Sequence, residues 1–356
     1  MKGLIVAALA VCSCATFAQR KLNSLPDIPG YQTLKGDFHV HTDFSDGAVW
    51  PTFRIDEAVR EGIDIIAITD HIEVLPHKEY IKSSLNASYN IASPVAKEKN
   101  IILIHACEIT RPMPTGHFNA LFIQDADKLV NDDFMKVVEE AINQDAFIFW
   151  NHPGWKTQQP DGIPKFYPPQ EELYKKGWLH GIEFYNTKWG YQFVLDWCSQ
   201  KNLTVFGNSD VHIAASDFWE FNKGGVRPVT LVFAKERSEA GVKDALKNGR
   251  TLALFHGDSL AGKKEWGEAF FRNSIRVKSP HLEDKDNVWI EIVNNSSVPY
   301  FLKNVNQDQE PKEINIQPLA ATVVKLPKSS PGTYKFIVGN ILVATRKALE
   351  LELKLK

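Results

Sequence analysis

Two histidines separated by one residue, His39 and His41, lie in an apolar stretch near the start of the chain. In a β-strand, residues two apart leave the same face, so both imidazoles point to one side. Two imidazoles on one face, followed at once by a polar turn, are half of a metal site. A single H-x-H pair is a weak signal, so the sequence must supply further ligands elsewhere.

Further His and acidic residues follow, each next to a predicted strand. They occur in the segments I-T-D-H, C-E-I-T, G-H-F-N, N-H-P and N-S-D-V-H, and they are His71, Glu108, His117, His152, Asp210 and His212. Asp46 lies in the turn after the first histidine pair. This repeated placement favours one shared metal-binding rim over a set of histidines that are hydrogen-bonded separately.

Between residues 36 and 248, apolar segments alternate with amphipathic segments. The apolar segments are predicted strands and the amphipathic segments are predicted helices, and together they must position these residues. The strand predicted at 63–69 is apolar on both faces, which is typical of a parallel sheet covered by helices. Repeated strand–helix units predict an α/β fold with a closed (β/α) barrel. The strand ends of such a barrel meet at one rim, where catalytic groups collect.

The pattern changes after residue 268, where apolar and polar residues alternate. Leu349, Leu351 and Leu353 alternate with charged residues, and turn clusters such as N-N-S-S separate the predicted strands. Such alternation is typical of strands with one buried face. We therefore predict a barrel domain at residues 35–267 and a small all-β, sandwich-like domain at 268–356, which carries no chemical motif.

The first residues have the layout of a secretory signal peptide. The basic start M-K precedes an apolar run that is too short to span a membrane, and T-F-A ends at Ala18 with small residues for cleavage. We predict a signal peptide at 1–18, a linker at 19–34 and an exported protein, periplasmic or secreted, with no transmembrane segment after cleavage. A buried helix is one alternative. Lipidation at Cys12 or Cys14 fits less well, because L-A-V-C has Val where a small residue is expected.

Composition excludes several classes of protein. The chain has 356 residues, a net charge of −2, 24% charged and 44% hydrophobic residues, which excludes a disordered chain. A charge so close to zero gives no overall basic field, so we expect no stable nucleic-acid partner. Two of the four Cys precede residue 18, so the remainder is no disulfide framework.

Taken in order, the motifs H-V-H-T-D-F-S-D-G, I-T-D-H, C-E-I-T, G-H-F-N, N-H-P and N-S-D-V-H resemble those of the polymerase-and-histidinol-phosphatase (PHP) superfamily. The resemblance extends from Lys35 to Phe255. It implies a distorted (β/α)7 barrel, up to three divalent metals and phosphoesterase activity. Independently, imidazole and carboxylate ligands without thiolate suit Zn²⁺, Mn²⁺ or Fe.

The resemblance also implies how the ligands divide among the metals. The first metal would be held by His39, His41, Glu108 and Asp210. The second would share Glu108 and be held also by His117 and His152. The third would be held by Asp46, His71 and His212. Asp46 stands where some members of the family have His.

The predicted function is metal-dependent hydrolysis of a small-molecule phosphate ester. Phosphodiesters are favoured, because histidine biosynthesis and DNA replication are cytoplasmic. We expect two or three divalent ions (Zn, Mn or Fe) and a metal-bound hydroxide that attacks phosphorus. Three alternatives are an amidohydrolase-like enzyme that cleaves a C–N or C–O bond, a histidinol-phosphatase-like monoesterase, and a binding protein without turnover.

Individual residues receive further roles in this hypothesis. The candidate catalytic residues are Asp210, His212, Glu108 and Arg111. Arg111 either reaches a phosphate oxygen or is a solvated loop residue. Asn151 either contacts substrate or forms a turn. The other substrate-binding candidates on this rim are Lys188 and Trp189, together with Trp155 and Lys156.

Overall fold

The computed structural model describes residues 24–191 and 193–356. The predicted signal peptide, with Cys12 and Cys14, lies outside these residues, as does the predicted linker up to residue 23. No helix within the described ranges combines the length and the apolar character that crossing a bilayer requires.

The strands, in chain order, are β1 Gln32–Val40, β2 Ile65–Ile68, β3 Ile102–Thr110, β4 His117–Leu121, β5 Phe147–Trp150, β6 Gly181–Asn186, β7 Trp189–Gly190, β8 Thr204–Asn208, β9 Val229–Ala234, β10 Thr251–Phe255, β11 Ser259–Gly262, β12 Ile275–Val277, β13 Leu282–Glu283, β14 Asn287–Asn294, β15 Tyr300–Asn304, β16 Glu313–Ile316, β17 Ala321–Pro327, β18 Thr333–Ala344 and β19 Lys347–Lys354. The α-helices are α1 Pro51–Glu61, α2 Ala87–Glu98, α3 Phe134–Asn143, α4 Pro168–Lys175, α5 Val194–Gln200, α6 Ala215–Phe218, α7 Glu239–Lys247 and α8 Lys264–Ser274. Short 3₁₀ helices lie at Ala126–Leu129 and Phe221–Lys223.

Strands β1 to β6 and β8 form the part of the molecule that carries the predicted ligands. β1, β2 and β3 pair in parallel, and so do β5, β6 and β8. An isolated parallel bridge between Val40 and Val211 brings the chain after β8 back beside the end of β1. The predicted mixed α/β, TIM-like architecture is confirmed, with its parallel strands buried on both faces. The ladders of the described residues do not close the barrel as the sequence predicts: they follow one open path, on which β1 pairs antiparallel with β9.

Strand β4 differs from the all-parallel expectation, because it runs antiparallel to both β3 and β5. His117 is its first residue and lies opposite Thr110, at the end of β3. In a parallel strand, a first residue would lie at the far end of the barrel. The reversal, made at a turn in which Gly116 has φ +77, is what places His117 on the same rim as Glu108.

The C-terminal part is all-β, as predicted. One of its sheets continues the sheet of the first part, because β11 pairs in parallel with β18. The other sheet contains β12, β13, β14 and β17. Fully buried side chains fill the interior of the C-terminal part, among them Ile290, Tyr300, Phe336 and Leu349. The predicted domain boundary, between residues 267 and 268, falls inside α8.

The turn between β18 and β19 contacts the start of α5. The backbone N–H of Phe193 donates to Thr345 Oγ1 at 3.0 Å, and the backbone N–H of Thr345 donates to Asp196 Oδ1 at 3.0 Å. Phe193 is the N-cap residue of α5 and makes no side-chain cap of its own. Thr345 thus accepts one hydrogen bond from the backbone of Phe193 and donates one to the side chain of Asp196, so the two bonds to the start of α5 resemble a capping box whose halves come from different parts of the chain.

We expect Thr345→Ala to lower the free energy of unfolding by about 1 kcal/mol, because the helix start loses its hydroxyl acceptor. Thr345→Ser keeps that acceptor and should match the unsubstituted protein. Urea unfolding followed by circular dichroism measures the difference. Equal stability of the Ala and Ser variants would show that the hydroxyl contributes nothing.

Candidate metal centre

The sequence-predicted ligands converge on one rim of the barrel. They form four groups in which the ligand atoms all lie within 4.8 Å of one another: His41–Asp46–His71–His212, His39–His152–Asp210, His39–His41–Glu108 and Glu108–His117–His152. Every metal ligand predicted from the sequence belongs to at least one group. The first group also contains His41, which the family resemblance had assigned to another metal.

Glu108 lies at the centre of these groups and is only 1% exposed. Its Oε2 lies between 3.1 and 3.3 Å from ring nitrogens of three histidines, His39, His41 and His71. Its Oε1 lies 2.9 Å from His117 Nδ1 and 3.6 Å from His152 Nε2. The two oxygens of one carboxylate therefore face different sets of imidazoles, as a bridging ligand must.

The electrostatics keep the buried carboxylates ionised. Burial alone would raise the pKa of Glu108, but the imidazoles of His71 and His39 hold its pKa well below the usual range. Burial would raise the pKa of Asp210 too, but the pKa is lowered, chiefly by the charge of His39. Conversely, burial lowers the pKa of His71, but the charge of Glu108 is the main factor that raises it to about 9. The rim therefore offers anionic oxygens to cations.

The orientation of two imidazoles fits metal ions. His39 Nδ1 donates to Glu183 Oε1 at 2.9 Å, so in the neutral ring Nε2 directs its lone pair at Glu108 and Asp210, 3.1 and 3.2 Å away. His212 Nδ1 donates to the carbonyl of Asp210 at 2.9 Å, which leaves Nε2 facing Asp46 Oδ1 at 3.3 Å. Either a ring proton or a metal ion must lie between each Nε2 and the carboxylate oxygens that it faces. Although burial lowers the pKa of His39, the charges of Asp210 and Glu108 raise this pKa well above its usual value.

A third imidazole supports the same conclusion. His41 Nδ1 is buried without a hydrogen-bond partner, and the nearest carboxylate oxygen paired with it is Asp46 Oδ1 at 3.8 Å. A buried polar atom without a partner is costly unless something coordinates it. Divalent metals that prefer imidazole and carboxylate ligands fit this donor set.

Two of the ligands have unusual backbone conformations. Asp210 has φ +52 and His152 has φ +27, although neither is glycine. Such conformations cost on the order of 1–3 kcal/mol and persist only where the surroundings impose them. For Asp210, one such constraint is a hydrogen bond of 2.8 Å from its backbone N–H to the carbonyl of His39.

Asp70 organises the loop that carries Asp46. Its Oδ1 accepts from the backbone N–H of Thr42 at 2.7 Å and from Ser45 Oγ at 2.7 Å, while its Oδ2 accepts from Thr42 Oγ1 at 2.6 Å. A Cβ added at Gly47 would lie 2.7 Å from the backbone nitrogen and oxygen of Thr42. The loop is therefore closed tightly enough to require glycine after Asp46.

Glu183 is a functional residue that the sequence did not reveal. It is fully buried in β6, where Oε1 accepts from His39 Nδ1 and, at 2.9 Å, from Asn208 Nδ2. Its Oε2 accepts from the backbone N–H of His152 and from Asn186 Nδ2, both at 2.8 Å. The carboxylate thus orients two ligands. The only available signal was a lone Glu in the apolar strand G-I-E-F-Y-N.

Arg54 is a second missed residue. It is buried in α1, pairs with Glu57 at 2.7 Å, and donates to the carbonyl oxygens of His41, Val211 and Ile213 at 2.9 Å each. These bonds join the end of β1 to the loop that follows Asp210. The signal in the sequence was an Arg and a Glu on the apolar face of a predicted helix.

Arg111, the predicted catalytic and phosphate-binding residue, lies outside the four ligand groups. Its guanidinium pairs with Glu73 and donates to the carbonyl oxygens of Thr110 at 2.8 Å and Asn131 at 2.7 Å. Its role toward a phosphate stays a prediction.

Asn151, which the sequence suggested as a substrate contact or a turn former, lies beside the central carboxylate. It is buried, and its Nδ2 donates to Glu108 Oε1 at 2.9 Å and to Asn119 Oδ1 at 2.8 Å. It therefore orients the central carboxylate.

Lys188 and Trp189 have different surroundings, although they are neighbours. The Lys188 ammonium lies 4.9 Å from the ring centroid of Phe218 and 6.0 Å from that of Trp219. Trp189 is 58% exposed, and the Lys156 ammonium lies 5.5 Å from its ring centroid. Of the two, Trp189 keeps an open aromatic surface.

We expect Glu183→Gln to weaken metal binding by about 10- to 100-fold, because His39 loses the charged acceptor that orients its ring. Metal titration of the apoprotein measures this effect, and circular dichroism checks the fold. Glu171→Gln is the matched control, because Glu171 makes exposed ion pairs with lysines. Unchanged affinity in the Glu183 variant would remove Glu183 from the site.

Comparisons with known proteins agree with this geometry. The PHP domain family matches residues 37–209, and an Ig-like domain family matches residues 275–354. A two-domain protein from Bacteroides vulgatus, described as containing a predicted PHP-like metal-dependent phosphoesterase, is 38% identical with a TM-score of 0.89. The match covers 94% of this chain and 99% of that chain. No curated protein sequence matches the chain.

Two other solved structures match less well. An amidohydrolase from Chromobacterium violaceum with bound sulfate is 14% identical with a TM-score of 0.38, over 51% of this chain and 89% of that chain. A protein from Bifidobacterium adolescentis, described as a metal-dependent phosphoesterase, is 14% identical with a TM-score of 0.41, over 62% and 98%. These scores are too low to support any conclusion about function.

Proposed function

The chain belongs to the PHP family of metal-dependent phosphoesterases, and from this premise we propose that its substrates are phosphodiesters. As a member of this family it is a hydrolase that acts on phosphoesters. Monoesters and diesters differ in the number of negative charges and in the number of substituents on phosphorus. A monoester carries up to two negative charges and one substituent, whereas a diester carries one charge and two substituents.

The proposal rests on one observation: the cationic side chains near the rim already have partners within the protein. Arg111 pairs with Glu73, Lys188 lies over Phe218, and Lys156 lies over Trp189. A monoester dianion is usually bound by Arg or Lys in addition to metals. A rim whose cations have other partners suits the single charge of a diester.

In this proposal, some residues bind the metals and others orient the metal ligands. Glu108, with the histidines around it, would hold the buried metals, and Asp46 with His212 would hold a more exposed one. Divalent metals bound there supply activated water and neutralise phosphoryl oxygens. Asp46 is 34% exposed on its side chain and His212 36%, so substrate would approach from their side. Glu183 and Asn151 keep His39 and Glu108 oriented throughout.

We expect His39→Ala and Asp210→Ala each to lower bound metal and to reduce hydrolysis of bis(p-nitrophenyl) phosphate by more than about a hundredfold, because each variant removes a member of the His39–His152–Asp210 group and His39→Ala also removes one from the group with His41 and Glu108. Metal analysis and initial rates measure the two effects. His281→Ala, on the exposed surface of the C-terminal domain, is the control.

Two results would contradict the proposal in different ways. Full metal content and unchanged rates in both variants would remove the rim from catalysis. A higher kcat/KM for p-nitrophenyl phosphate than for the diester would favour the monoesterase alternative. Export and cleavage after Ala18 stay predictions, and so do the domain boundaries and the number and identity of the metals.

A further inference from the structure

We infer that Trp155, Lys156 and Trp189 form an aromatic subsite, which binds a planar aromatic substituent of the phosphoester. This inference rests on the proposed function, since it places the substituent beside a phosphoryl group held at the rim. It goes further by naming the chemical class of the substituent and the residues that select it.

Trp155 contacts two of the metal-ligand candidates directly. Its ring centroid lies 5.7 Å from that of His117 and 5.3 Å from that of His152, both in edge-to-face arrangements. Its backbone N–H donates to the carbonyl of His152 at 2.9 Å, which fixes the indole beside this histidine. The residue is nevertheless 40% exposed. An indole that touches the ligands and is also open to solvent can contact a group attached to bound phosphate.

Trp189 reaches the same rim from a different element. It pairs with Asn186 across the β6–β7 hairpin, and Asn186 Nδ2 lies 3.3 Å from Asp210 Oδ2. More than half of Trp189 is exposed. The ammonium of Lys156, the residue next to Trp155, lies 5.5 Å from the Trp189 ring centroid. The segment that carries Trp155 therefore reaches Trp189 through the side chain of Lys156.

These contacts define the chemistry of the ligand. Large exposed aromatic side chains beside a functional rim mark a binding surface rather than a packed core. An indole face favours another planar ring, and such stacking increases affinity about tenfold or more. The nearby ammonium adds attraction for an electron-rich ring. An aliphatic substituent gains little from either feature.

The experiment compares two phosphonates that share a head group but differ in the presence of a ring. Binding of the methyl esters of phenylphosphonate and of methylphosphonate, which carry one negative charge as a diester does, to the metal-loaded full-length protein is measured by calorimetry. We expect the phenyl compound to bind about tenfold more tightly. Trp155→Ala should remove this preference, measured as the ratio of the two affinities, and Trp189→Ala should reduce it. Trp155→Phe keeps a ring and should retain most of it.

The control is Trp289→Ala in the C-terminal domain. Trp289 has the same arrangement with a lysine, since the Lys325 ammonium lies 5.4 Å from its ring centroid, but it is remote from the rim. This variant should keep the full preference. Metal analysis of every variant shows whether the ligand groups remain loaded.

Several results would overturn the inference. Equal affinity of the two phosphonates in the unsubstituted protein shows that no aromatic subsite exists, while phosphate binding at the rim stands. An equal loss of both affinities in Trp155→Ala assigns Trp155 to the support of the metal ligands. Loss of the preference in Trp50→Ala but not in Trp155→Ala places the ring on the opposite flank, near Phe44. Failure of the metal-loaded protein to bind either compound contradicts the proposed function itself.

Discussion

The buried negative charge of Glu108 is the constraint on which the rest of the site depends. A carboxylate that is 1% exposed is costly unless cations or hydrogen bonds compensate it. Histidines from the ends or starts of several strands meet around it, and Asn151 donates to it from the end of β5. The antiparallel direction of β4 follows the same requirement, because only that direction brings His117 to Glu108. Divalent cations bound at the rim would replace the protons that otherwise lie between the imidazole nitrogens and the carboxylate oxygens.

Around this centre, buried ionic groups hold the loops in positions that they would not adopt alone. Glu183 orients His39 and the backbone of His152, Asp70 closes the loop that carries Asp46, and Arg54 joins the end of β1 to the loop after β8. The C-terminal domain takes part as well, since Thr345 caps the helix that follows the β6–β7 hairpin and Trp189. The second domain therefore supports helix α5, which follows the hairpin that carries Trp189. None of the predicted metal ligands lies in the second domain.

The sequence predicted strands β1 to β6, β8 and β9 and pointed to the residues that the structure brings together at the rim, because both are local signals. Continuous apolar runs mark buried strands, and ligands beside them share one rim in a barrel. Glu183 was not predictable, because its partner His39 is 144 residues away. The pairing of Arg111 with Glu73 was not predictable for the same reason, since the two residues meet only in the fold. The direction of β4 depends on a short turn that no periodicity reveals.

The central claim is that this rim binds divalent metals through Glu108 and Asp210. Anomalous diffraction from crystals of the active protein, collected at the absorption edge of the metal found in it, tests the claim most directly. The account predicts anomalous peaks about 2.0–2.3 Å from Glu108 and Asp210 oxygens and from the neighbouring imidazole nitrogens. Crystals of protein that turns over substrate, with no peak among these ligands, would contradict it.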